Sequence, residues 1–268
     1  MSIEIIRPGK TGNFRYAVLD FDGTLSLIRE GWQAIMIPYF ADEMANTPKG
    51  RDMPYEAIYE KAKDFITQTT GKQTIYQCIQ LADEVRGLGG TPLDPQVYKD
   101  EYSARLLRRI DDRLTGLENG TLDPEKLTVP GTYDLLEMLL RHDVTPYVAS
   151  GTDEAHVLRE AHLVGVDKYV KHIYGAQREY KTFSKKMVIE RILKENNLSG
   201  ESLLGFGDGF VEIENIHEVG GFAVGAATDE RAREGIDAWK RERLISAGAN
   251  LIVPDFREID RLEALLFN

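Results

Sequence analysis

Cysteine is almost missing from this chain: Cys78 stands alone among 268 residues. No internal disulfide and no cysteine-built zinc site can form, and the composition suits a reducing compartment. Positive charge is the next scarcity. The 33 Lys and Arg residues face 44 Asp and Glu, leaving a net charge of −11. A surface that negative repels a phosphate backbone, so nucleic acid is not an expected partner. Any anionic substrate has to be met by local positive charge or by a metal ion. Long apolar runs are also lacking. No stretch approaches the length of a membrane span, so no membrane partner is expected. Met1–Lys10 carries no apolar stretch of signal-peptide length, and the expected location is cytoplasmic. Internal repeats and low-complexity segments are missing as well. What remains is an ordinary globular composition, 42% hydrophobic and 29% charged. The length suits one large domain or a core with a smaller module.

Short apolar runs bounded by turn residues alternate with helical patterns. Tyr16–Asp20, Thr145–Ser150, Leu203–Gly207, Phe222–Val224 and Leu251–Val253 read as buried strands, with His172–Tyr174 a weaker one. Helical stripes lie between them, among them Tyr133, Leu136, Leu140 and Ile189, Ile192, Leu193. This alternation predicts an α/β fold, a Rossmann-like parallel sheet covered on both faces. Residues 25–128 break the rhythm and show no convincing strand. Trp32, Ile35, Met36, Tyr39 and Phe40 keep helical spacing, although Pro38 is expected to kink or split that helix. Three further stripes follow: Ile58, Ala62, Phe65, Ile66; Ile75, Cys78, Ile79, Ala82; and Tyr102, Leu106, Ile110, Leu114. Gly87–Pro95 reads as a loop. The expected organisation is an all-helical insertion at 25–128 in a core built from 1–24 and 129–268.

Four motifs carry chemistry. Asp20-Phe21-Asp22-Gly23-Thr24 follows the apolar run Tyr16–Leu19. Ligand sites of parallel sheets lie at the carboxyl ends of strands, and two acids spaced by two residues can point the same way there. Gly23 then lets the chain turn away. A polar strand end or a calcium-type loop would also place acids here, but the further ligands of an EF-hand loop are missing. Gly207-Asp208-Gly209, with Glu212 four residues after Asp208, follows a second apolar run. Acids at two strand ends make an oxygen cage for Mg²⁺, although Gly-Asp-Gly alone is also a common turn. Ser150-Gly151-Thr152 offers a hydroxyl and backbone N–H groups to a phosphate oxygen, or a helix N-cap. Lys185 or its neighbour Lys186 opens a helix, with Lys181 a more distant choice.

In this order the motifs resemble those of the haloacid dehalogenase-like superfamily, and the insertion resembles its helical caps. Val129-Pro130-Gly131 and Gly165-Val166-Asp167-Lys168 add to the likeness. The resemblance, closest to the phosphoglycolate phosphatase and β-phosphoglucomutase branch, implies a phosphoric monoester hydrolase. It makes Asp20 the nucleophile that forms an aspartyl-phosphate, and Asp22 the general acid and then base. Ser150 and Lys185 would hold the phosphoryl group. Asp20, the carbonyl of Asp22, Asp208 and Glu212 would serve Mg²⁺, with Glu212 reaching it directly or through water. Thr24, Gly151, Arg29, Trp32, Lys72 and Gln73 are the expected substrate-binding residues. Lys72 and Gln73 belong to a polar turn between two cap stripes, which is otherwise a solvated connector. The expected substrate is a small phosphorylated metabolite, possible sugar phosphates included. Asp22 argues against dehalogenation and against phosphonatase chemistry, both of which lack that acid. A phosphosugar mutase keeps both acids and is the alternative enzyme. A catalytically inactive binding protein on the same scaffold is the alternative from another class.

Overall fold

The computed structural model describes residues 2–182 and 184–268. Its described residues form two compact units: residues up to Glu30 together with Arg113–Asn268, and Gly31–Asp112.

The first unit is built on a seven-stranded sheet. Its strands in chain order are β1 (Glu4–Ile5), β2 (Tyr16–Leu19), β3 (Thr145–Asp153), β4 (His172–Ala176), β5 (Leu203–Gly207), β6 (Phe222–Ala226) and β7 (Leu251–Val253). They lie in the order β1-β7-β6-β5-β2-β3-β4. All pairings are parallel except that of β1 with β7. Strands β2, β5, β6 and β7 are almost wholly buried apolar runs, as a sheet covered on both faces requires. Among the described residues, the sheet unit also holds six helices wholly within it and the end of a seventh. Helices α7 (Lys185–Glu195), α8 (Phe210–Glu218) and α9 (Ala238–Ala247) cover one face. There Ile189, Ile213, Ile216 and Leu244 pack with Val18, Tyr147, Leu203 and Ile252. Helix α5 (Thr132–Arg141) packs on β3 and against α10 (Ile259–Phe267), while α6 (Glu154–Leu163) lies on β3 and β4. The order β5-β2-β3 makes the C-terminal end of β2 the switch point where crossovers diverge to either side, the usual place for a ligand crevice.

The segment after the first acidic motif stays with this unit. The Leu27 N–H bonds the Leu127 carbonyl at 2.8 Å, and the Val129 N–H bonds that of Leu25 at 3.0 Å. Arg113 donates to the carbonyls of Ile28 and Glu30 at 2.7 and 2.9 Å.

The second unit is helical: α1 (Gln33–Ala45), α2 (Tyr55–Thr69), α3 (Thr74–Gly87) and α4 (Pro95–Glu118), whose first part, to Asp112, belongs to this unit. The α2 stripe Ile58, Ala62, Phe65, Ile66 and the α4 stripe Tyr102, Leu106, Ile110, Leu114 are fully in the core. Phe40 stacks on Phe65 at 6.0 Å between ring centres. Burial pushes the Cys78 thiol up to about 12, which leaves it protonated and unreactive at neutral pH.

Three expectations are corrected. Pro38 does not split α1, which runs unbroken across it. Only one turn precedes it, so the missing N–H costs a single bond to Ala34 near the helix start. In α5 the buried residues include Leu135, Leu136, Met138 and Leu139, while Leu140 is 46% exposed. With leucines at nearly every position, the sequence leaves the phase of that stripe open. Strand β3 continues through the Ser150 motif to Asp153, with an irregular register after Ala149. The N-cap of α6 is therefore Asp153 rather than Ser150.

Candidate active site

Chemically active side chains gather at the C-terminal ends of β2, β3, β5 and β6. Asp20 follows the last residue of β2 and is 7% exposed. Its Oδ1 accepts the Phe21 N–H at 2.8 Å, and its Oδ2 lies 2.7 Å from the Lys185 ammonium. Lys185 is the first residue of α7, whose N-cap Ser184 accepts the Met187 N–H at 3.1 Å. This cap fixes the first turn, and the turn aims Lys185 inward. The same ammonium donates to Glu212 Oε2 at 3.0 Å. Lys186 points elsewhere, to Glu218 at the surface. Lys181 has its ammonium over the Tyr180 ring.

Glu212 occupies the first turn of α8 and turns back to accept the Gly209 N–H at 2.7 Å. Gly207 makes that possible: a Cβ there would lie 2.0 Å from Glu212 Cγ. Asp208 follows β5, and its Oδ2 accepts a hydrogen bond from Lys240 at 2.7 Å. Lys240 also donates to Glu230 at 2.6 Å. Gly23, at φ +75°, is the other glycine the site demands: a Cβ on it would meet Asp208 Oδ2 at 2.3 Å.

Asp22 sits beside this cluster with different partners. Its Oδ2 accepts the Thr152 hydroxyl at 2.7 Å, and the Ser150 hydroxyl approaches at 3.5 Å. Ser150 Oγ in turn accepts the Thr152 N–H at 3.0 Å. Arg29 Nε lies 3.8 Å from Asp22 Oδ1, while the guanidinium grips the buried Glu160 of α6 at 2.6 and 2.9 Å.

Burial is the largest influence on the four acids, and neighbours then separate them. Burial raises Asp20 well above the carboxylate range, with Lys185 pulling the other way and Glu212 and Asp208 reinforcing the rise. Burial likewise raises Asp22, restrained by Arg29. Asp208 is pushed by burial up to about 6, against the pull of Lys240. Burial also works against the Glu212 carboxylate, but Lys185 and its hydrogen bonds prevail and hold it below the ordinary value. Lys185 and Lys240 lose to burial and gain more from their acids, so both are held firmly charged.

One carboxylate oxygen each from Asp20, Asp208 and Glu212 lies within 4.8 Å of the others. Hard oxygen donors so placed could hold a divalent cation. With all four acids ionised, the carboxylates of Asp20, Asp208, Glu212 and Glu230 face two ammonium groups (Lys185, Lys240), an excess of negative charge equal to one divalent ion.

Of the expected substrate-binding residues, Gly151 lies in the end of β3 and Thr24 is fully buried, its hydroxyl without a hydrogen-bond partner. Arg29 is engaged by Glu160, as described. Trp32, Lys72 and Gln73 belong to the second unit. Trp32 precedes α1 and is half-buried, Lys72 is exposed, and Gln73 is the buried N-cap residue of α3. Sequence reasoning missed Thr152 as a partner of Asp22, although it stands two residues after Ser150 and so shares its side of the strand. It also missed Glu160, Glu230 and Lys240, which nothing in the sequence distinguishes from solvated charges. Among the described residues, no helix is long and apolar enough to cross a membrane.

A family model for haloacid dehalogenase-like hydrolases matches residues 14–220. Comparison with curated proteins finds no match. Among solved structures, the chain is similar to a predicted phosphoglycolate phosphatase from Haemophilus somnus 129PT. The two are 16% identical with a TM-score of 0.60, over 94% of this chain and 99% of that one. It is similar to β-phosphoglucomutase from Clostridium difficile at 12% identity and a TM-score of 0.63, over 94% and 97%. A third likeness is to a family IA, variant 3 hydrolase from Entamoeba histolytica, at 18% identity and 0.61, over 95% and 100%. At these identities the solved structures establish a shared fold; the family model, spanning the sheet motifs from Asp20 to Glu212, establishes that the chain belongs to the haloacid dehalogenase-like hydrolase family.

Proposed function

We propose that the protein is a Mg²⁺-dependent phosphatase that hydrolyses a small phosphorylated metabolite through an aspartyl-phosphate on Asp20. The observation that carries this reading is the pairing at the end of β2. A buried carboxylate, Asp20, is held by an equally buried lysine, and a second carboxylic acid, Asp22, stands two residues on with its own hydroxyl partner.

Asp20 has to be ionised to attack phosphorus. Lys185 supplies the adjacent positive charge that opposes the effect of burial, and it also balances charge on the phosphoryl oxygens. As the Asp20–phosphorus bond forms, the ester P–O bond breaks and its electrons leave with the oxygen. Asp22, raised by burial, carries the proton that this oxygen takes. Its anion then accepts a proton from the water that attacks the phosphoaspartate, releasing phosphate and restoring Asp20. Thr152 and Ser150 keep Asp22 oriented through both steps, and Ser150 with the Gly151 backbone bonds phosphoryl oxygens. Asp20, Asp208 and the Asp22 carbonyl would hold Mg²⁺, with Glu212 acting through water. When bound, the ion supplies the charge that lets two anions approach and polarises the phosphoryl group. The helical unit serves as the cap that selects the substrate, with Trp32, Lys72 and Gln73 its recognition residues.

The test is phosphate release from an aryl phosphate and from a panel of phosphorylated metabolites, with Mg²⁺ and with excess EDTA. The expected result is release that requires Mg²⁺ and disappears with chelator. Undiminished hydrolysis in EDTA refutes the metal, and isomerised sugar phosphate without free phosphate makes the protein a mutase.

A further inference from the structure

Asp208 is held from behind by an ion pair that lies outside all four sequence motifs. Lys240 stands in the first turn of α9, where the N-cap Asp237 accepts its backbone N–H at 2.9 Å. Its side chain is 12% exposed, and its ammonium bonds Asp208 Oδ2 at 2.7 Å and Glu230 Oε1 at 2.6 Å. Glu230 comes from the loop between β6 and α9, and that loop is tied down at several points. Thr228 bridges Ile236, and the Asp237 N–H bonds the Ala227 carbonyl at 2.8 Å. Asp229 accepts the N–H groups of Arg231 and Ala232 at 3.1 and 3.0 Å. Arg233, in the left-handed region at φ 56°, donates to the carbonyls of Glu125 and Thr128. Both members of the pair thus project from fixed backbone, and both acids press on the space left by Gly23, where a Cβ would lie 3.1 Å from Glu230 as well as against Asp208.

We propose that Lys240 and Glu230 are positioning residues that fix the Asp208 carboxylate for the divalent cation. The inference rests on the metal-dependent reading above. With Oδ2 occupied by the ammonium, Oδ1 is the oxygen left to face a cation, and the carboxylate cannot rotate without breaking a buried ion pair. Glu230 has two effects. It holds the Lys240 ammonium in place, and it cancels most of the repulsion that a lone lysine would exert on an incoming Mg²⁺. The pair therefore orients Asp208 while adding almost no net charge, as partners behind metal ligands commonly do.

This neutrality dictates the experiment. Changing Lys240 alone would mix lost orientation with gained negative charge, so the two residues are changed together, as Lys240→Met with Glu230→Gln. MgCl₂ is titrated calorimetrically into the metal-free full chain, wild type and double variant, with circular dichroism confirming that both are folded. The double variant is expected to bind Mg²⁺ about 10–100-fold more weakly. In assays, the half-saturating Mg²⁺ concentration should rise by a similar factor while kcat changes less. If the Met/Gln pair does not fold, Lys240→Gln with Glu230→Gln, which retains polar atoms in the same space, is measured with the same expectation. Unchanged or tighter Mg²⁺ binding by a folded double variant overturns the inference. Failure of the wild-type chain to bind Mg²⁺ overturns the metal-dependent reading instead, and the two results are told apart by the wild-type titration alone.

Discussion

Lys185 bridges Asp20 and Glu212 at 2.7 and 3.0 Å; Lys240 bridges Asp208 and Glu230 at 2.7 and 2.6 Å. The two clusters are alike in geometry and charge, although the second is somewhat less buried, and they differ in the roles assigned to them. Lys185 sits on the carboxylate assigned to attack, so in the proposed mechanism its charge would act where bonds change. Lys240 sits behind a carboxylate assigned to a cation, so its charge is balanced locally and its effect is orientation. They differ also in legibility. Lys185 opens a helix and stands at the right point in an ordered series of motifs. Lys240 stands 28 positions after Glu212, beyond strand β6, and its partner Glu230 lies in a loop. Motif order finds the groups assigned to the reaction, whereas the groups that hold them are found only by contact.

The sharpest way to break the comparison is at the reacting carboxylate. Asp20→Asn should reduce phosphate release to background while leaving the circular dichroism spectrum unchanged, and near-normal turnover would remove the nucleophile assignment. Lys185→Met should lower kcat by about 10²–10³-fold, the effect of deleting one group that stabilises developing charge. It also leaves Asp20 and Glu212 buried without their cation, so the melting temperature of the metal-free chain should fall. Lys186→Met, one residue away but paired with Glu218 at the surface, should change stability by no more than about 0.5 kcal/mol and leave kcat intact.

Asp22 sharpens the contrast from the other side, because the role proposed for it depends on the leaving group. Asp22→Asn should cost roughly 10²–10⁴-fold on an alkyl phosphate, whose departing oxygen needs a proton. The loss should be much smaller on dinitrophenyl phosphate, whose leaving group is stable as an anion. Equal losses on both substrates would mean that Asp22 is structural.

Between the metal-side acids, Asp208→Ala should raise the Mg²⁺ requirement more than Glu212→Ala does, since both oxygens of Glu212 already have protein partners. The reverse ranking in Mg²⁺-dependence curves would exchange their roles. The smallest expected effect belongs to the helical unit. Lys72→Ala should weaken turnover of the best metabolite from the panel several-fold and leave a small aryl phosphate unaffected. Equal minor effects on both would make the turn at 70–73 a connector.

Some elements were legible for plain reasons. Leu203–Gly207 and Leu251–Val253 are continuous apolar runs with turn residues at both ends, and the strands have those bounds. The α2 and α4 stripes repeat at helical spacing without ambiguity, and all eight residues are buried. By contrast, β1 is two residues long with Ile5 mostly exposed, too short to show any period. The leucine-rich α5 has apolar residues on more faces than the core uses, so its orientation waits on what packs against it.

Local sequence was enough for the order of the buried strands and helices, the helical stripes of the second unit, and the acids and lysine that follow or open those elements. These are properties of short segments, set by local periodicity and by turn chemistry. Tertiary structure alone decided which charges meet. It brought Thr152 to Asp22 across 130 positions, Glu160 to Arg29 across 131, and Lys240 to Asp208 across 32. No segment encodes such a pairing, because a buried ion pair exists only where desolvation by the whole core forces opposite charges to find one another.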